Sequence, residues 1–314
     1  MPIVVIGSVF VDIKGYPSSA FIPAGRNVGR VEQVHGGVAR NIAEDIANIE
    51  LRPIFVSLVD RSGAGQDVLR QLRDHKVNTD YMRVTKDGMG TWLAIFDNDG
   101  DVVAAISKRP DMTPIGDILD EQGDEIFSKA DSILFELDMD KELVKRIYQY
   151  AAKYSVPVYA AVSNMSLAAK RRDFLQFTDC FVCNQQEAGI LFSENYENKS
   201  AEEMDLILMD KIRAANIRRM VITMGGSGAV YASLDGEHGI CPALPVSVRD
   251  TTGAGDAFFS GVSIGLTYGK TLREACEIGT KLASSVICTM ESVCPRFLPG
   301  EFGLNVTPET VSVG

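Results

Sequence analysis

The segment from Arg249 to Gly261 has the residue types needed to hold an anionic group and to remove a proton beside it. It reads Arg-Asp-Thr-Thr-Gly-Ala-Gly-Asp-Ala-Phe-Phe-Ser-Gly and leads into an apolar helical run. Small residues at a helix start let backbone N–H groups converge where the helix dipole is positive, so Gly253, Ala254 and Gly255 suit a transferring phosphoryl group. Asp256 is placed to accept a proton from a hydroxyl nucleophile. A tight loop with an ordinary acidic first-turn residue is the alternative.

A glycine-rich loop and a short polar motif have the composition of a nucleotide site. The run Thr223-Met-Gly-Gly-Ser-Gly228 follows an apolar segment. No Gly-Lys-Ser/Thr follows, so it is not a Walker A motif, and a simple glycine-rich turn is the alternative. The motif Asn184-Gln-Gln-Glu187 places its two end residues on one side of a helix, because residues three apart are neighbours there.

The elements that position these segments alternate between apolar runs and helical periodicities. Continuous apolar runs predict strands buried on both faces. These runs are Ile3–Val9, Ile54–Val59, Ser132–Leu137, Val156–Val162, Cys180–Cys183 and Met220–Met224. In the amphipathic segment 39–49, isoleucines share one face, and the charged residues Arg40, Glu44 and Asp45 lie away from it. The order predicts an α/β fold with a doubly wound, mostly parallel sheet flanked by helices.

Two stretches interrupt this alternation. Residues 12–35 are rich in Gly, Pro and Ser without a helical period, and residues 90–108 form two β-rich runs around Asp97-Asn-Asp-Gly100. Extended segments outside a parallel core predict a small β lid built from separate parts of the chain. We expect one domain over residues 1–314, with a loose tail at 306–314.

Composition excludes several classes of function. The 31 Lys and Arg against 42 Asp and Glu give a net charge of −11, so general nucleic-acid binding is not expected. Three scattered histidines argue against a His-rich zinc site, and Cys180 and Cys183 are most simply part of a buried strand. Asp12 and Lys14 interrupt the apolar start of the chain, which favours a first strand over a signal or membrane segment. We therefore expect a cytoplasmic protein with free thiols and no membrane association.

Two of the segments together resemble the signatures of the ribokinase-like (PfkB) family of carbohydrate and nucleoside kinases. Asp-Thr-Thr-Gly-Ala-Gly-Asp-Ala at 250–257 is similar to its C-terminal signature, and Gly36-Gly-Val-Ala-Arg-Asn41-Ile-Ala to its N-terminal diglycine signature. The resemblance spans nearly the whole chain in the expected order. It implies phosphoryl transfer from ATP with Mg²⁺ to a primary hydroxyl, with Asp256 as the base and residues 253–255 stabilising the transferring group.

The resemblance also implies an acceptor site. Asp12 and Asn41 would bind substrate hydroxyls, whereas a strand-end turn and a helix cap are the simpler roles for these residue types. Gly36 and Gly37 would let the substrate approach the backbone closely.

Nucleotide and cation roles follow from the same resemblance. The residues implied to bind the nucleotide are Asn184, Thr223, Gly225, Gly226 and Gly228. Asn184 and Glu187 would also help to place magnesium and phosphate. Asp250 and Thr252 match positions that surround a monovalent cation such as K⁺ in some members.

Three local features, the last of them after the diglycine, resemble most closely the pseudouridine kinase branch of the family. They are Val11-Asp-Ile-Lys-Gly15, Gly25-Arg-Asn-Val-Gly29 and Arg40-Asn-Ile-Ala-Glu44. By this resemblance Asn27 would meet the base, Thr91 would contact the substrate, and the acceptor is predicted to be pseudouridine. Turn formation also explains each feature, because Asn and Gly are common in loops. Other nucleosides, ribose, fructose and a deoxy sugar acid are the alternative acceptors.

Three further alternatives stay open. A phosphosugar acceptor would need cations near the lid, where the sequence supplies Arg26, Arg30, Arg40 and Lys108. For Arg40 a helix-surface salt bridge is the alternative. A non-catalytic sugar or nucleoside sensor would be marked by loss of the base, but Asp256 is present. Because family members often dimerise through the lid, the resemblance also implies a homodimer.

Overall fold

A computed structural model describes residues 1–98 and 102–306 of the chain. Thirteen strands occur in this part: β1 (Ile3–Ile6), β2 (Phe10–Pro17), β3 (Gly29–Gly36), β4 (Ile54–Val59), β5 (Met82–Val84), β6 (Gly90–Phe96), β7 (Val102–Lys108), β8 (Ser132–Glu136), β9 (Val158–Ala161), β10 (Cys180–Asn184), β11 (Arg219–Thr223), β12 (Ala229–Ser233) and β13 (His238–Cys241). The α-helices of the same part are α1 (Val38–Asn48), α2 (Gly63–Asp74), α3 (Thr113–Ser128), α4 (Lys141–Tyr154), α5 (Met165–Ala168), α6 (Gln185–Phe192), α7 (Ala201–Ala215), α8 (Ala254–Thr267) and α9 (Leu272–Ile287).

Nine strands form one large sheet in the order β13-β12-β11-β10-β9-β8-β1-β4-β5. Every neighbouring pair from β11 to β5 is parallel, whereas β12 and β13 add antiparallel at one edge. The predicted doubly wound, mostly parallel sheet is confirmed. The first predicted strand, Ile3–Val9, is shorter than expected and ends at Ile6. The chain turns there because Gly7 has no side chain, and a Cβ at this position would lie 2.4 Å from the Cβ of Ala39.

Helices cover both faces of the large sheet because the side chains of each strand alternate between those faces. On β1, Ile3 and Val5 join one buried apolar cluster, and Val4 and Ile6 join the other. The first cluster packs on α1, α2, α8 and α9, and the second on α3, α4 and α7. No helix among the described residues is long and apolar enough to cross a membrane.

Helix α8, which begins at the glycine-rich segment, is held closely against α9. A Cβ at Gly261 would lie only 2.6 Å from the Cα of Gly279, so the two backbones meet at a point where neither helix carries a side chain. This contact fixes the position of the first turn of α8 relative to the sheet.

A separate sheet of four strands, which we call the lid sheet, has the order β3-β2-β6-β7. Its β6–β7 hairpin and the pairing of β2 with β3 are antiparallel, and β2 and β6 run parallel. The predicted β lid from two separate chain segments is therefore present, although its first strand begins slightly earlier, at Phe10. Part of the predicted hairpin turn (99–101) and most of the predicted tail (307–314) lie outside the described residues.

Candidate active site

The two most specific sequence motifs meet in space through one hydrogen bond. Asn41, in the first half of α1, donates from Nδ2 to Oδ2 of Asp256 at 2.7 Å. Asp256 lies in the first turn of α8, which begins after Gly253. Asn41 is therefore not a helix cap, since the N-terminal cap of α1 is Gly37. The bond holds the carboxylate in one orientation.

The electrostatic environment of Asp256 suits a general base at neutral pH. Burial raises its pKa to about 7, and the charges of Glu187 and Asp12 also act to raise it. The hydrogen bond from Asn41 and the charge of Arg40 act in the opposite direction. A carboxylate with a pKa near the working pH can both accept a proton and release it again.

The start of α8 presents N–H groups that are not used by the protein. Gly253 has φ +80°, and a Cβ there would lie 2.0 Å from the carbonyl oxygen of Ser292, so only glycine fits. The Ala254 N–H closes the turn on the carbonyl of Thr251 at 3.2 Å. Within the described part of the chain, the N–H groups of Gly253, Gly255 and Asp256 donate to no acceptor. We call the turn formed by residues 253–256 the nest. It offers those N–H groups, rather than that of Ala254, to an anion.

A cavity of about 570 Å³ opens on one side of this nest. It reaches from Ala254 and Gly255 to the predicted nucleotide loop, of which Thr223 and three glycines line the wall. The rest of its lining is largely apolar and includes the segment 243–246. An apolar slot that ends on a helix N-terminus suits a nucleotide, with its base in the slot and its phosphates on the N–H groups.

The predicted glycines of the nucleotide loop are required by its backbone. Gly225 and Gly228 have φ +55° and +91°, in the region that favours glycine. At Gly228 a Cβ would lie 2.1 Å from the carbonyl oxygen of Cys241. Gly226 lies beside them in the same cavity wall. Asn184 lines an adjoining cavity of about 790 Å³ that shares Thr223 and Gly225 with the first.

Asn184 and Glu187 form the cap of α6. The Glu187 N–H donates to Oδ1 of Asn184, and the Asn184 N–H donates to Oε2 of Glu187, both at 2.8 Å. Burial raises the pKa of Glu187, the Asn184 N–H opposes the rise, and the charge of Asp138 adds to it. No group of three or more His, Cys, Asp or Glu among the described residues is arranged to hold a metal ion alone. The pair fits Mg²⁺ that keeps most of its ligands from phosphates and water, because the second oxygen of Glu187 stays uncommitted among the described residues.

A second cavity, of about 440 Å³, is lined by residues of the lid sheet and by Asn41, the hydrogen-bond partner of Asp256. We call it the acceptor cavity. Asp12 and Asn41 both line it. A Cβ at Gly36 would lie 2.5 Å from Oδ2 of Asp12, and Gly37 has φ +101°, so both predicted glycines are needed for this packing. Burial raises the pKa of Asp12, and the charges of nearby Lys14 and Arg40 oppose the rise.

Asp250 and Thr252 lie at the edge of the acceptor cavity. Oδ1 of Asp250 accepts from both the N–H and the hydroxyl of Thr252 at 2.8 Å. These bonds close a short turn before the nest. A role for the two residues beside a monovalent cation stays a prediction.

Asn27 and Thr91 are not brought together with Asp256. Asn27 closes its own loop, accepting from the Ile22 N–H at 2.8 Å and donating to the Ile22 carbonyl at 3.0 Å. Thr91 pairs with Val11 on β2, and residues alternate between the two faces of a strand, so it lies on the face opposite to Asp12. Neither residue lines the acceptor cavity. Their contact with substrate stays a prediction.

Arg40 was expected on the helix surface or beside a phosphate, and the surface interpretation is wrong. It forms an ion pair with Glu44, and both side chains are buried. Its Nη1 also donates to Oδ1 of Asn41 at 2.9 Å. With Oδ1 occupied in this way, the Asn41 amide must turn its N–H groups toward Asp256. Asp45, placed on the same polar side of the segment, is buried as well and accepts from the N–H of Cys294 at 2.7 Å.

Glu136 is a site residue that the sequence analysis missed. It ends β8 and accepts from the N–H and hydroxyl of Ser8, both at 2.9 Å, and from the N–H of Ala39 at 3.1 Å. Burial and the nearby charge of Asp138 raise its pKa to about 7. Through these hydrogen bonds, Glu136 connects the C-terminal end of β8 to the first turn of α1. The available signal was a glutamate inside an otherwise apolar strand.

Comparison with known proteins gives one consistent result. A family model described as pfkB family carbohydrate kinase matches residues 2–295. A guanosine-inosine kinase from Exiguobacterium acetylicum is 32% identical over 92% of this chain and 95% of its own length. A pseudouridine kinase from Escherichia coli (strain K12) is 28% identical over 87% of each chain. A ribokinase from Arabidopsis thaliana complexed with ribose and ATP matches with a TM-score of 0.81 at 20% identity, over 98% of this chain and 99% of that one, and this likeness shows the fold.

Proposed function

The chain belongs to the pfkB family of carbohydrate kinases, and from this premise we propose that it transfers the γ-phosphoryl group of ATP to the 5′-hydroxyl of a nucleoside. The observation that carries the proposal is the Asp256–Asn41 pair: Asn41 lines the acceptor cavity, and Gly255, the neighbour of Asp256, lines the apolar cavity. The apolar cavity suits the donor and the polar one the acceptor. A non-catalytic sensor is disfavoured because the base and its hydrogen-bond partner are both in place.

The chemistry follows from this placement. The oxygen of the acceptor hydroxyl bonds to the γ-phosphorus while the bond from that phosphorus to the β–γ bridging oxygen breaks. The hydroxyl proton passes to the carboxylate of Asp256, and the N–H groups of Gly255 and Asp256 stabilise the charge on the transferring group. Most of the rate enhancement then comes from positioning and electrostatics.

Magnesium would be held on the donor side. Asn184 and Glu187 are the residues that would hold it through phosphate oxygens or water, and the ion would neutralise phosphate charge there. Glu187 already raises the pKa of Asp256, so the two carboxylates influence one another.

A nucleoside is favoured over a free sugar by the chain's relatives and by the lid. The guanosine-inosine kinase is 32% identical, so guanosine and inosine are the first candidates. Pseudouridine, predicted from the lid sequence and favoured by the 28% identical relative, is the second. The face of the lid sheet that carries Asp12 also carries Tyr16, Trp92 and Phe96. Tyr16 and Phe96 stack with centroids 4.8 Å apart, and such an aromatic wall suits a flat base.

The test is ADP release with ATP and Mg²⁺ against a panel of acceptors. The panel holds guanosine, inosine, pseudouridine, uridine, adenosine, ribose, fructose and ribose 5-phosphate. We expect kcat/KM for the best nucleoside to exceed that for ribose by at least about tenfold, because the base adds buried contacts. Equal or better turnover of a free sugar would overturn the nucleoside proposal and leave the kinase assignment in place.

Oligomeric state, compartment and a monovalent cation complete the proposal. A homodimer through the lid is supported by the outer face of the lid sheet, where the side chains of Val31 and Ile106 are 74% and 71% exposed. A reducing cytoplasm is supported by free cysteines, five of them buried and Cys288 half-buried. Turnover in KCl against NaCl at equal ionic strength tests the predicted K⁺ site, and sedimentation tests the dimer.

A further inference from the structure

One lysine in the acceptor cavity is buried without a hydrogen bond or an ion pair among the described residues. Lys14 is only 8% exposed, yet within residues 1–98 and 102–306 it makes no hydrogen bond and no ion pair. By contrast, Lys108 of the same lid sheet is 57% exposed and still pairs with Asp87 at 3.0 Å. The charges of Asp12 and Asp250 act on Lys14 from beyond ion-pair distance, so its N–H donors stay unsatisfied, which is costly for a buried ammonium and needs an explanation.

The position of Lys14 relates it to the acceptor. It follows Asp12 by two residues on β2 and so shares its face, about 7 Å further along the strand. Both residues line the acceptor cavity. A nucleoside with its 5′-hydroxyl at Asp256 and its ribose at Asp12 extends its base along the strand toward Lys14.

The other cationic side chains of the cavity are already paired. Arg30 pairs with Glu32 at 2.8 Å, Arg40 pairs with Glu44, and His35 lies 3.3 Å from Asp67. Lys14 thus supplies the uncommitted positive charge among the described residues that line this cavity.

We infer that Lys14 selects acceptor nucleosides whose base presents a carbonyl oxygen, and guanosine and inosine above all. This inference rests on the proposed nucleoside kinase function. An ammonium has three donors and no acceptor. The O6 and N7 atoms of a 6-oxopurine are neighbouring acceptors that a lysine can contact together, whereas adenine presents a donor amino group at the same edge. A phosphate on a phosphosugar has the same oxygen chemistry. It fits less well, because one ammonium among several carboxylates does not match a dianion.

The experiment compares Lys14→Met with the matched lid variant Lys108→Met. For Lys14→Met we expect kcat/KM for inosine to fall about 10- to 100-fold, mainly through KM, because a hydrogen bond to a charged group is lost. Turnover of adenosine and ribose should change less than about threefold, so the preference for inosine over adenosine collapses. Lys108→Met should match the wild type on inosine, guanosine, adenosine and ribose. Thermal unfolding of both variants checks that the fold is kept.

Each other outcome is decisive. Equal losses on inosine, adenosine and ribose, or no loss on inosine, would overturn the inference while the nucleoside kinase function stands. A wild type that prefers ribose 5-phosphate and loses that activity in Lys14→Met would identify a phosphate as the ligand and overturn the base-recognition role. A wild type that prefers free ribose contradicts the proposed function itself, before any variant is compared.

Discussion

The catalytic centre and the lid sheet differ in how completely their polar groups find partners inside the chain. At the centre, a continuous series of contacts runs from Asp256 through Asn41 and Arg40 to Glu44. In the lid sheet, Lys14 makes no hydrogen bond or ion pair among the described residues, and apolar residues of the outer face lie open to solvent. The reaction chemistry is therefore fixed by the fold, whereas the choice of acceptor is left to groups that only a ligand can satisfy.

The largest expected effect comes from breaking the catalytic side of this comparison. Asp256→Asn keeps the shape and the contact with Asn41 but removes the base, so kcat should fall by about 10²- to 10⁴-fold. Binding of ATP should stay within a few-fold of the wild type. Steady-state kinetics and calorimetry measure the two quantities. Asp173→Asn, at a surface ion pair with Lys141, is the control and should be silent. Retained turnover in Asp256→Asn would exclude its role as the base.

The buried ion pair that orients Asn41 gives the next largest effect. Arg40→Met leaves the buried carboxylate of Glu44 with only Gln71 and His75 as partners among the described residues, so the free energy of unfolding should drop by about 3–5 kcal/mol in urea denaturation. The double change Arg40→Met/Glu44→Met should recover most of that loss. Arg273→Met, which breaks an exposed pair with Glu277, should stay close to the wild type. If Arg40→Met is as stable as this control, the pair is not a structural anchor.

A smaller effect is expected from pH. Asp256 must be ionised to accept a proton and its pKa is about 7, so kcat/KM should fall about tenfold per pH unit below 7 and level off above it. Glu136 also has a pKa raised to about 7, but its carboxylate accepts hydrogen bonds from Ser8 and Ala39 and has no hydrogen bond with Asp256 or Asn41, so Glu136→Gln should keep the profile. A profile that is flat between pH 5.5 and 8 would contradict the assignment.

Stability should respond to pH in the opposite direction. The pKa values of Asp256 and Glu136 are raised above their unfolded values near 4, so the folded state holds these protons more tightly. The stability that the two groups contribute is complete below about pH 4 and is lost as pH rises through about 7. Urea denaturation of Glu136→Gln against the wild type between pH 5 and 8 measures the Glu136 share. A wild-type advantage that grows with pH would reverse the expected sign.

The smallest effect is expected on the outer face of the lid sheet. Ile106→Gln should change the free energy of unfolding of the monomer by less than about 0.5 kcal/mol, because this side chain is largely solvated. Turnover should change less than twofold. A sedimentation shift from dimer to monomer would support the lid dimer. A loss of more than about 1 kcal/mol in a protein that is already monomeric would show that the residue is packed within the chain.

The sequence was sufficient to identify a motif whose residues are contiguous and whose chemistry depends on those residues alone. The nest at 253–256 and the diglycine before Asn41 each occupy a few residues, and the alternation of apolar runs with amphipathic segments was enough for the large sheet. The sequence was insufficient where the role of a residue depends on contacts with residues that are distant in the chain. Arg40 is buried because α8 packs over α1, and Glu136 matters because β8 lies beside β1.

The lid shows the same limit in another form. Thr91 is excluded from the acceptor cavity, and Lys14 is directed into it, by the register between β2 and β6. A shift of one residue in that register would exchange the two faces. Composition and turn signals identify the hairpin, but they do not fix which alternate residues face the substrate.

The connection between β3 and α1 has a consequence for how the lid sheet and the catalytic centre are related in the chain. The lid sheet ends at Gly36 and the helix that carries Asn41 begins at Val38, so Gly37 alone joins them, at φ +101°. The strand that borders the acceptor cavity and the helix that orients the base are therefore covalently continuous across one residue.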